Sequence, residues 1–248
     1  MLALELARGQ SALRDAGSDQ FGNERARPSP SAPPGARTGD KRSIGSIGRL
    51  GKEKDMARLG QKPRVLGVFG SPRLDGNSST LLEEVLGAAE QRGAAVERAV
   101  LADKTISPCR ACDACLETGV CVQDDDMQEL VDRMVESHVW ALATPVYWWG
   151  PSAQLKAFVD RWYGAWHNPA HRAAFAGKRA VLVASMGDSD PATARHVVGM
   201  FQDAFAYIGM TLAATVLAPN VSNRSDASKR ADLIDAARAA GRKAVANL

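Results

Sequence analysis

Gly70-Ser71-Pro72-Arg73-Leu74-Asp75-Gly76-Asn77-Ser78-Ser79-Thr80 joins two apolar segments of different period. Before it stands Val65-Leu66-Gly67-Val68-Phe69. That run is short, partly β-branched and bounded by turn residues, which predicts a buried strand. After it, Leu81, Leu82, Val85, Leu86 and Ala89 fall on one face at helical spacing. The unit is strand, polar glycine-containing loop, helix. Such a loop aims backbone N–H groups and hydroxyls at one spot, and the helix dipole adds partial positive charge there. The natural occupant is a phosphate; the plainer alternative is a polar turn with a Ser/Thr helix cap.

The loop lacks the G-K-[ST] of a nucleoside-triphosphate P-loop and the G-x-G-x-x-G spacing of a dinucleotide fold. It offers Ser71, Arg73, Asn77, Ser78, Ser79 and Thr80, a set suited to one phosphomonoester.

The chain has 248 residues and a formal net charge of +3. That charge is unevenly spread. Residues 1–62 hold 12 Lys+Arg and 7 Asp+Glu; the remainder holds 19 and 21. The folded part therefore carries no nucleic-acid footprint by charge, and no run of apolar residues is long enough for a membrane span. Residues 1–62 read as a disordered extension, with a Pro-, Ser-, Gly- and Arg-rich tract over 25–37 and no apolar period. Met1–Ala7 is too short for a secretory core and carries Glu5. An alternative is that the segment is not translated. Lys52-Glu53-Lys54-Asp55 needs purine-rich codons directly before Met56, where a bacterial ribosome-binding site would lie. Residues 63–248 form the expected domain.

Along that domain, strands and helices alternate. Strands are predicted at 65–69, 95–101, 139–143, 179–184 and 212–217, and helices at 79–92, 126–137, 151–163, 192–208 and 227–246. The pattern predicts an α/β fold: a doubly wound, five-stranded parallel sheet with helices on both faces. Ligands in such sheets bind beyond the carboxyl ends of the strands, near the topological switch point. Two more loops should reach that edge. Thr144-Pro145-Val146-Tyr147-Trp148-Trp149-Gly150-Pro151-Ser152 combines rigidity with bulky aromatics, which suits the rim of a planar ring or a hydrophobic turn on the core. Ser185-Met186-Gly187-Asp188-Ser189-Asp190-Pro191 is small and polar, and would admit a ring or simply turn the chain.

Gly70-Ser71-Pro72-Arg73 with Gly76-Asn77-Ser78, Asp124-Asp125-Asp126-Met127, and Thr144 to Pro151 together resemble the flavodoxin-like NAD(P)H-dependent FMN reductases. The resemblance spans residues 63–217, in motif order. It implies a flavodoxin-like fold, FMN as cofactor and NAD(P)H as co-substrate. It places the FMN phosphate at Ser71, Arg73, Asn77, Ser78 and Ser79 or Thr80. It places the flavin ring at Pro145, Val146, Tyr147, Trp148 and Gly150, with Ser185 and Gly187 matching by position only. It also implies a homo-oligomer, a dimer or tetramer.

All four cysteines lie in Cys109-x2-Cys112-x2-Cys115-x5-Cys121. A disulfide framework would spread them along the chain, so the pattern suggests a reducing, cytoplasmic compartment and a local site. The spacing resembles that of the iron–sulfur flavoproteins, a branch of the same fold. This implies a [4Fe–4S] cluster on Cys109, Cys112, Cys115 and Cys121. Tight x2 spacings let the chain curl round one cluster. Plain thiols, zinc or a disulfide are the alternatives; a zinc site more often pairs C-x2-C with a second, distant pair, absent here. His138, His167, His171 and His196 are scattered and read as structural or surface residues. Asp124, Asp125 and Asp126 read as charge at a helix N-terminus.

The expected function is a cytoplasmic FMN oxidoreductase. It would take electrons from NADH or NADPH and pass them to a small-molecule or protein acceptor, through a cluster if one is present. No catalytic side chain is expected, because the flavin carries the redox chemistry. No nucleic-acid or membrane partner is expected. A flavodoxin-type electron carrier without NAD(P)H turnover, and a redox-sensing flavoprotein, are the competing classes.

Overall fold

The structure, a computed structural model, describes residues 62–248. The readings made for residues 1–61, an extension and an alternative start at Met56, lie outside the described residues.

Five strands form one parallel sheet: β1 (Arg64–Phe69), β2 (Ala95–Val100), β3 (Val139–Pro145), β4 (Arg179–Ser185) and β5 (Thr211–Ala218). Their order across the sheet is β2-β1-β3-β4-β5, the flavodoxin order, with its switch point between β1 and β3. The expected doubly wound sheet is what the chain forms. The period-2 alternation of a strand decides which side chain meets which layer. Val65 and Phe69 enter one core with Val139, Ala141 and Val183. Leu66 and Val68 enter the other with Trp140, Leu142 and Leu182. The central strands are buried on both faces, which is why they read as continuous apolar runs.

Helix α1 (Asn77–Glu90) packs on the first face through Leu81, Leu82, Val85 and Leu86. The first face is completed by the C-terminal helix. There a close approach matters: a Cβ on Gly241 would lie 2.1 Å from the Val85 carbonyl oxygen. Gly70 is similarly confined, since a Cβ there would lie 2.7 Å from Ala143 O. The chain thus leaves β1 tightly against β3 before the polar loop opens.

The remaining helices are α2 (Ala114–Thr118), α3 (Met127–Glu136), α4 (Ala153–Asp160), α5 (Trp162–His167), α6 (Pro169–Phe175), α7 (Arg195–Tyr207) and α8 (Ala231–Ala244), the last covering the first face. Several differ from the sequence expectation for visible reasons. The single helix expected over 151–163 starts later, at a Ser152 cap, and turns at Arg161 into α5. α6 lies where the sequence pattern predicts no helix, although Asn168-Pro169 is a cap-and-N1 signal; the Asn168 side chain accepts from the N–H groups of Ala170 and His171. The expected helix from 192 begins as a 3-10 turn at Pro191–Ala194, with Asp190 accepting from Ala192 N–H. The cysteine segment 109–121, where no helix is expected, contains α2. Trp140, Trp162 and Phe175 cluster on the second face, with centroids 5.5 Å (Trp140–Trp162) and 5.0 Å (Trp140–Phe175) apart.

Candidate functional site

The loop after β1 is shaped by its own hydroxyls. Ser71 Oγ accepts from Arg73 N–H at 3.1 Å, and Ser79 Oγ donates to Arg73 O at 2.8 Å. Thr80 Oγ1 donates to Gly76 O at 3.0 Å. Gly76 is the N-cap residue of α1 and no side chain caps the helix. The plain Ser/Thr cap is therefore not the role these hydroxyls take. The first-turn N–H groups and the positive end of the dipole lie beside the cavity that Gly76, Asn77 and Ser78 line.

That cavity, of about 300 Å³, sits at the carboxyl edge of the sheet. It is lined by Ser71 and Arg73 from the first loop and Asn77 and Ser78 from the first turn of α1, by Pro145, Val146 and Tyr147 from the second loop, and by Ser185, Met186 and Gly187 from the third. Its size is in the range of small-molecule sites. Ser79, Thr80, Trp148 and Gly150 are not in its lining. Ser79 is fully buried and serves the loop backbone, as does Thr80. Asn77 lines the cavity but its amide is engaged elsewhere. Nδ2 donates to Val221 O and Asn223 O at 3.1 and 2.9 Å, and Oδ1 accepts from Ala227 N–H at 2.9 Å.

Those bonds tie down a fourth loop that the sequence reading missed. Val221, Ser222, Asn223 and Arg224, after β5, close the cavity. Arg224 reaches across to Asp75 in the first loop, at 3.2 Å. The available signal was positional: turn residues at 219–223 follow the last strand, at the edge where ligands bind.

The second loop is held by β-sheet and cap contacts. Val146 N–H donates to Ser185 O at 2.8 Å, and Thr144 Oγ1 accepts from Ser152 N–H at 2.9 Å. Ser152 Oγ donates to Gly70 O, joining the first two loops. Tyr147 and Gly150 pair through both N–H···O bonds at 2.9 Å, and the two residues between them, Trp148 and Trp149, have φ of 49° and 60°. Bulky side chains rarely adopt that region. The turn places Trp148 at 90% exposure.

A second cavity belongs to the cysteines. Cys109, Cys112, Cys115 and Cys121 all line it, together with Arg161 and Tyr163. The loop curls through left-handed Ala111, Asp113 and Gly119. Cys109 and Cys112 are exposed, Cys121 half-buried and Cys115 buried. Burial pushes the Cys115 thiol up, and the other three cysteines push it further. Among the described residues no three His, Cys, Asp or Glu side chains are drawn together closely enough to hold one metal ion.

Arg161, at the α4–α5 turn, holds this loop from beneath. Its guanidinium pairs with Asp125 through two bonds, at 2.6 and 3.0 Å, and donates to Ser107 O at 2.9 Å and to Cys121 Sγ at 3.4 Å. Both side chains of the ion pair are nearly fully buried, 1% exposed for Arg161 and 5% for Asp125. Burial works against the Asp125 charge. Hydrogen bonds from Arg161 and from the Ser107 and Met127 N–H groups outweigh it and hold the carboxyl below the usual range. Asp125 thus does more than charge a helix terminus, a role its sequence position did not disclose. Arg161 Nε is buried with no hydrogen-bond partner among the described residues. His138 Nδ1 accepts from Arg64 N–H at 3.0 Å, at the opposite edge of the sheet.

Residues 63–222 match the family described as NADPH-dependent FMN reductase. The chain is 39% identical over 124 residues to an iron–sulfur flavoprotein of Archaeoglobus fulgidus, covering 50% of this chain and 56% of that one. It is 43% identical over 98 residues to an iron–sulfur flavoprotein of Methanocaldococcus jannaschii, covering 40% and 51%. The chain therefore spans about half the length of these curated relatives. Among solved structures, an NAD(P)H:quinone oxidoreductase from Methanothermobacter marburgensis superposes with a TM-score of 0.58 at 18% identity, over 73% of this chain and 96% of that one, a likeness of fold. No helix among the described residues is long and apolar enough to cross a membrane.

Proposed function

Because this chain belongs to the NADPH-dependent FMN reductase family, we propose that it is an FMN oxidoreductase drawing electrons from NAD(P)H in a reducing, cytoplasmic compartment. The observation that carries this reading is the convergence of four strand-end loops on one cavity at the switch point, beside an uncapped helix N-terminus. The lining fits FMN in chemistry. Ser71, Ser78, Arg73 and the first turn of α1 would hold the phosphate, with Arg224 as a second cation nearby. Pro145, Val146, Tyr147 and Met186 offer apolar sides for a planar ring, and Ser185 and Gly187 keep the opposite wall small. When bound, FMN supplies hydride acceptance from the nucleotide and delivery of electrons onward. The chain's own task is to neutralise the phosphate, exclude water with the loop after β5, and orient the ring by main-chain contacts along the second loop.

The cysteine cavity fits a [4Fe–4S] group in donor chemistry. It offers four thiols on one curled loop, over a buried guanidinium with an unpartnered N–H. Cys109, Cys112, Cys115 and Cys121 would hold that group, as a one-electron outlet from the site. A homo-oligomer, dimer or tetramer, is the expected assembly.

The test is anaerobic. Protein reconstituted with FMN should bleach its flavin absorbance on adding NADPH or NADH, and heat should release FMN. Stoichiometric FAD, or no flavin after reconstitution, would refute the cofactor. Flavin bound but unbleached by either nucleotide would leave an electron carrier or a redox sensor.

A further inference from the structure

Arg161 is a buried cation whose bonds all converge on one loop. Its guanidinium grips Ser107 O before the first cysteine and Asp125 after the last, and it touches Cys121 Sγ between them. The loop's two ends are thus clamped by a single side chain. The remaining donor, Nε, has no partner among the described residues, and Arg161 lines the cysteine cavity itself. A buried N–H left unsatisfied is costly unless an acceptor arrives. The ordinary explanation of an arginine–carboxylate clamp accounts for the bidentate face and the Ser107 bond. It does not account for the sulfur contact or the orphaned N–H.

We propose that Arg161 is the positioning and charge-setting residue of the cysteine centre: it closes the 107–125 loop and raises the potential at which the bound group accepts an electron. This rests on the reading of that centre as an iron–sulfur site. One electron, passed from the reduced flavin of the proposed site or from dithionite in the test, would add one negative charge beside the guanidinium, with no bond formed or broken. Hydrogen bonding to thiolate sulfur and a nearby buried cation both favour the reduced, more negative form. Asp125 acts oppositely, because its carboxylate offsets part of that field. Arg161 touches no substrate, so it is a positioning residue and not a catalytic one.

The experiment uses the full chain, reconstituted anaerobically with iron and sulfide. Iron per chain, melting temperature and midpoint potential by dithionite titration are measured for wild type and three variants. Asp125→Asn keeps the guanidinium and removes the opposing charge, so its potential should rise. Arg161→Gln/Asp125→Asn removes both buried charges and the sulfur contact, so its potential should fall. The expected drop is roughly tenfold in the reduced-to-oxidised ratio, about 59 mV for one electron. Arg161→Lys keeps the charge but cannot reach Ser107, Asp125 and Cys121 together. It should load iron, fall in potential by less, and stands in should the double variant fail to fold. Opposite shifts on the two sides of wild type support the proposal, because a merely structural clamp would not reverse sign. Loaded protein whose potential is the same in all variants would overturn it while leaving the iron–sulfur reading intact. Fewer than about one iron per chain in wild type would remove the centre, and this inference with it.

Discussion

Arg73, in the loop after β1, and Asn77, four positions on in the first turn of α1, predict different failures. Arg73 lines the cavity with an exposed side chain. Arg73→Ala should weaken FMN binding by about 1.5–3 kcal/mol, roughly ten- to more than a hundredfold, and leave riboflavin affinity nearly unchanged. Asn77 instead bonds the loop after β5 three times. Asn77→Ala should lower the affinities for FMN and riboflavin together, because it loosens a wall and removes no phosphate partner. Titrating both ligands against both variants by flavin fluorescence separates the two roles. Asp125 makes a pH prediction. Its folded-state pKa is depressed, so its contribution to stability is present above the ordinary carboxylate range and is lost as pH falls through the folded value. Wild type should therefore lose melting temperature below about pH 4 more steeply than Asp125→Asn. Parallel acid curves for the two proteins would contradict that assignment.

At the scale of elements, most helices were legible and their ends were not. The apolar stripe Leu81, Leu82, Val85 and Leu86 specifies α1 and its buried face. Its start at Asn77 depends on Gly76 and on hydroxyls that serve the loop, and so lies two residues before the start that the apolar period predicts. α5 and α6 carry too little period to announce themselves; Trp162 and Phe175 are set by the aromatic cluster around Trp140. The contact of α1 with α8 gives a test. A Cβ on Gly241 would meet the backbone of Val85, which cannot move aside as a side chain could. Gly241→Ala should cost about 1–3 kcal/mol despite the higher helix propensity of alanine. Thermal melts showing a gain in stability would mean the two helices shift apart freely.

For the whole domain, the sheet brings the ends of β1, β3, β4 and β5 to one edge, and the cavity lies where their loops meet. FMN bound there and absent from the unfolded chain should raise stability by about 2.7 kcal/mol at a hundredfold excess over Kd. The melting temperature should climb with FMN concentration and respond less to riboflavin. A melting temperature indifferent to FMN would place the flavin elsewhere or nowhere. A chain beginning at Met56 should give the same FMN-dependent melting curve, since residues 1–55 show no pattern able to bury a core; a large loss would show that the segment packs.

Local physics carried the sequence a long way. Two-sided burial makes central strands continuous apolar runs, helical stripes keep a 3.6 period, and a doubly wound order follows from alternation. The first three cavity loops could be named because loops after parallel strands face one edge. Close cysteine spacing likewise kept the four thiols in one segment, and they line one cavity. What the sequence could not carry were couplings between distant positions. Nothing near Asn77 announces Val221 and Asn223, nor does anything near Arg161 announce Ser107 and Asp125. A side chain's partner is chosen by the three-dimensional path of the chain. Polar residues of the same type can therefore face a cavity, as Ser78 does, or tie a backbone, as Ser79 does, one position apart. Periodicity names a face only where burial repeats. In loops it does not repeat, and the assignment is made by tertiary hydrogen bonds that leave no mark on the linear order.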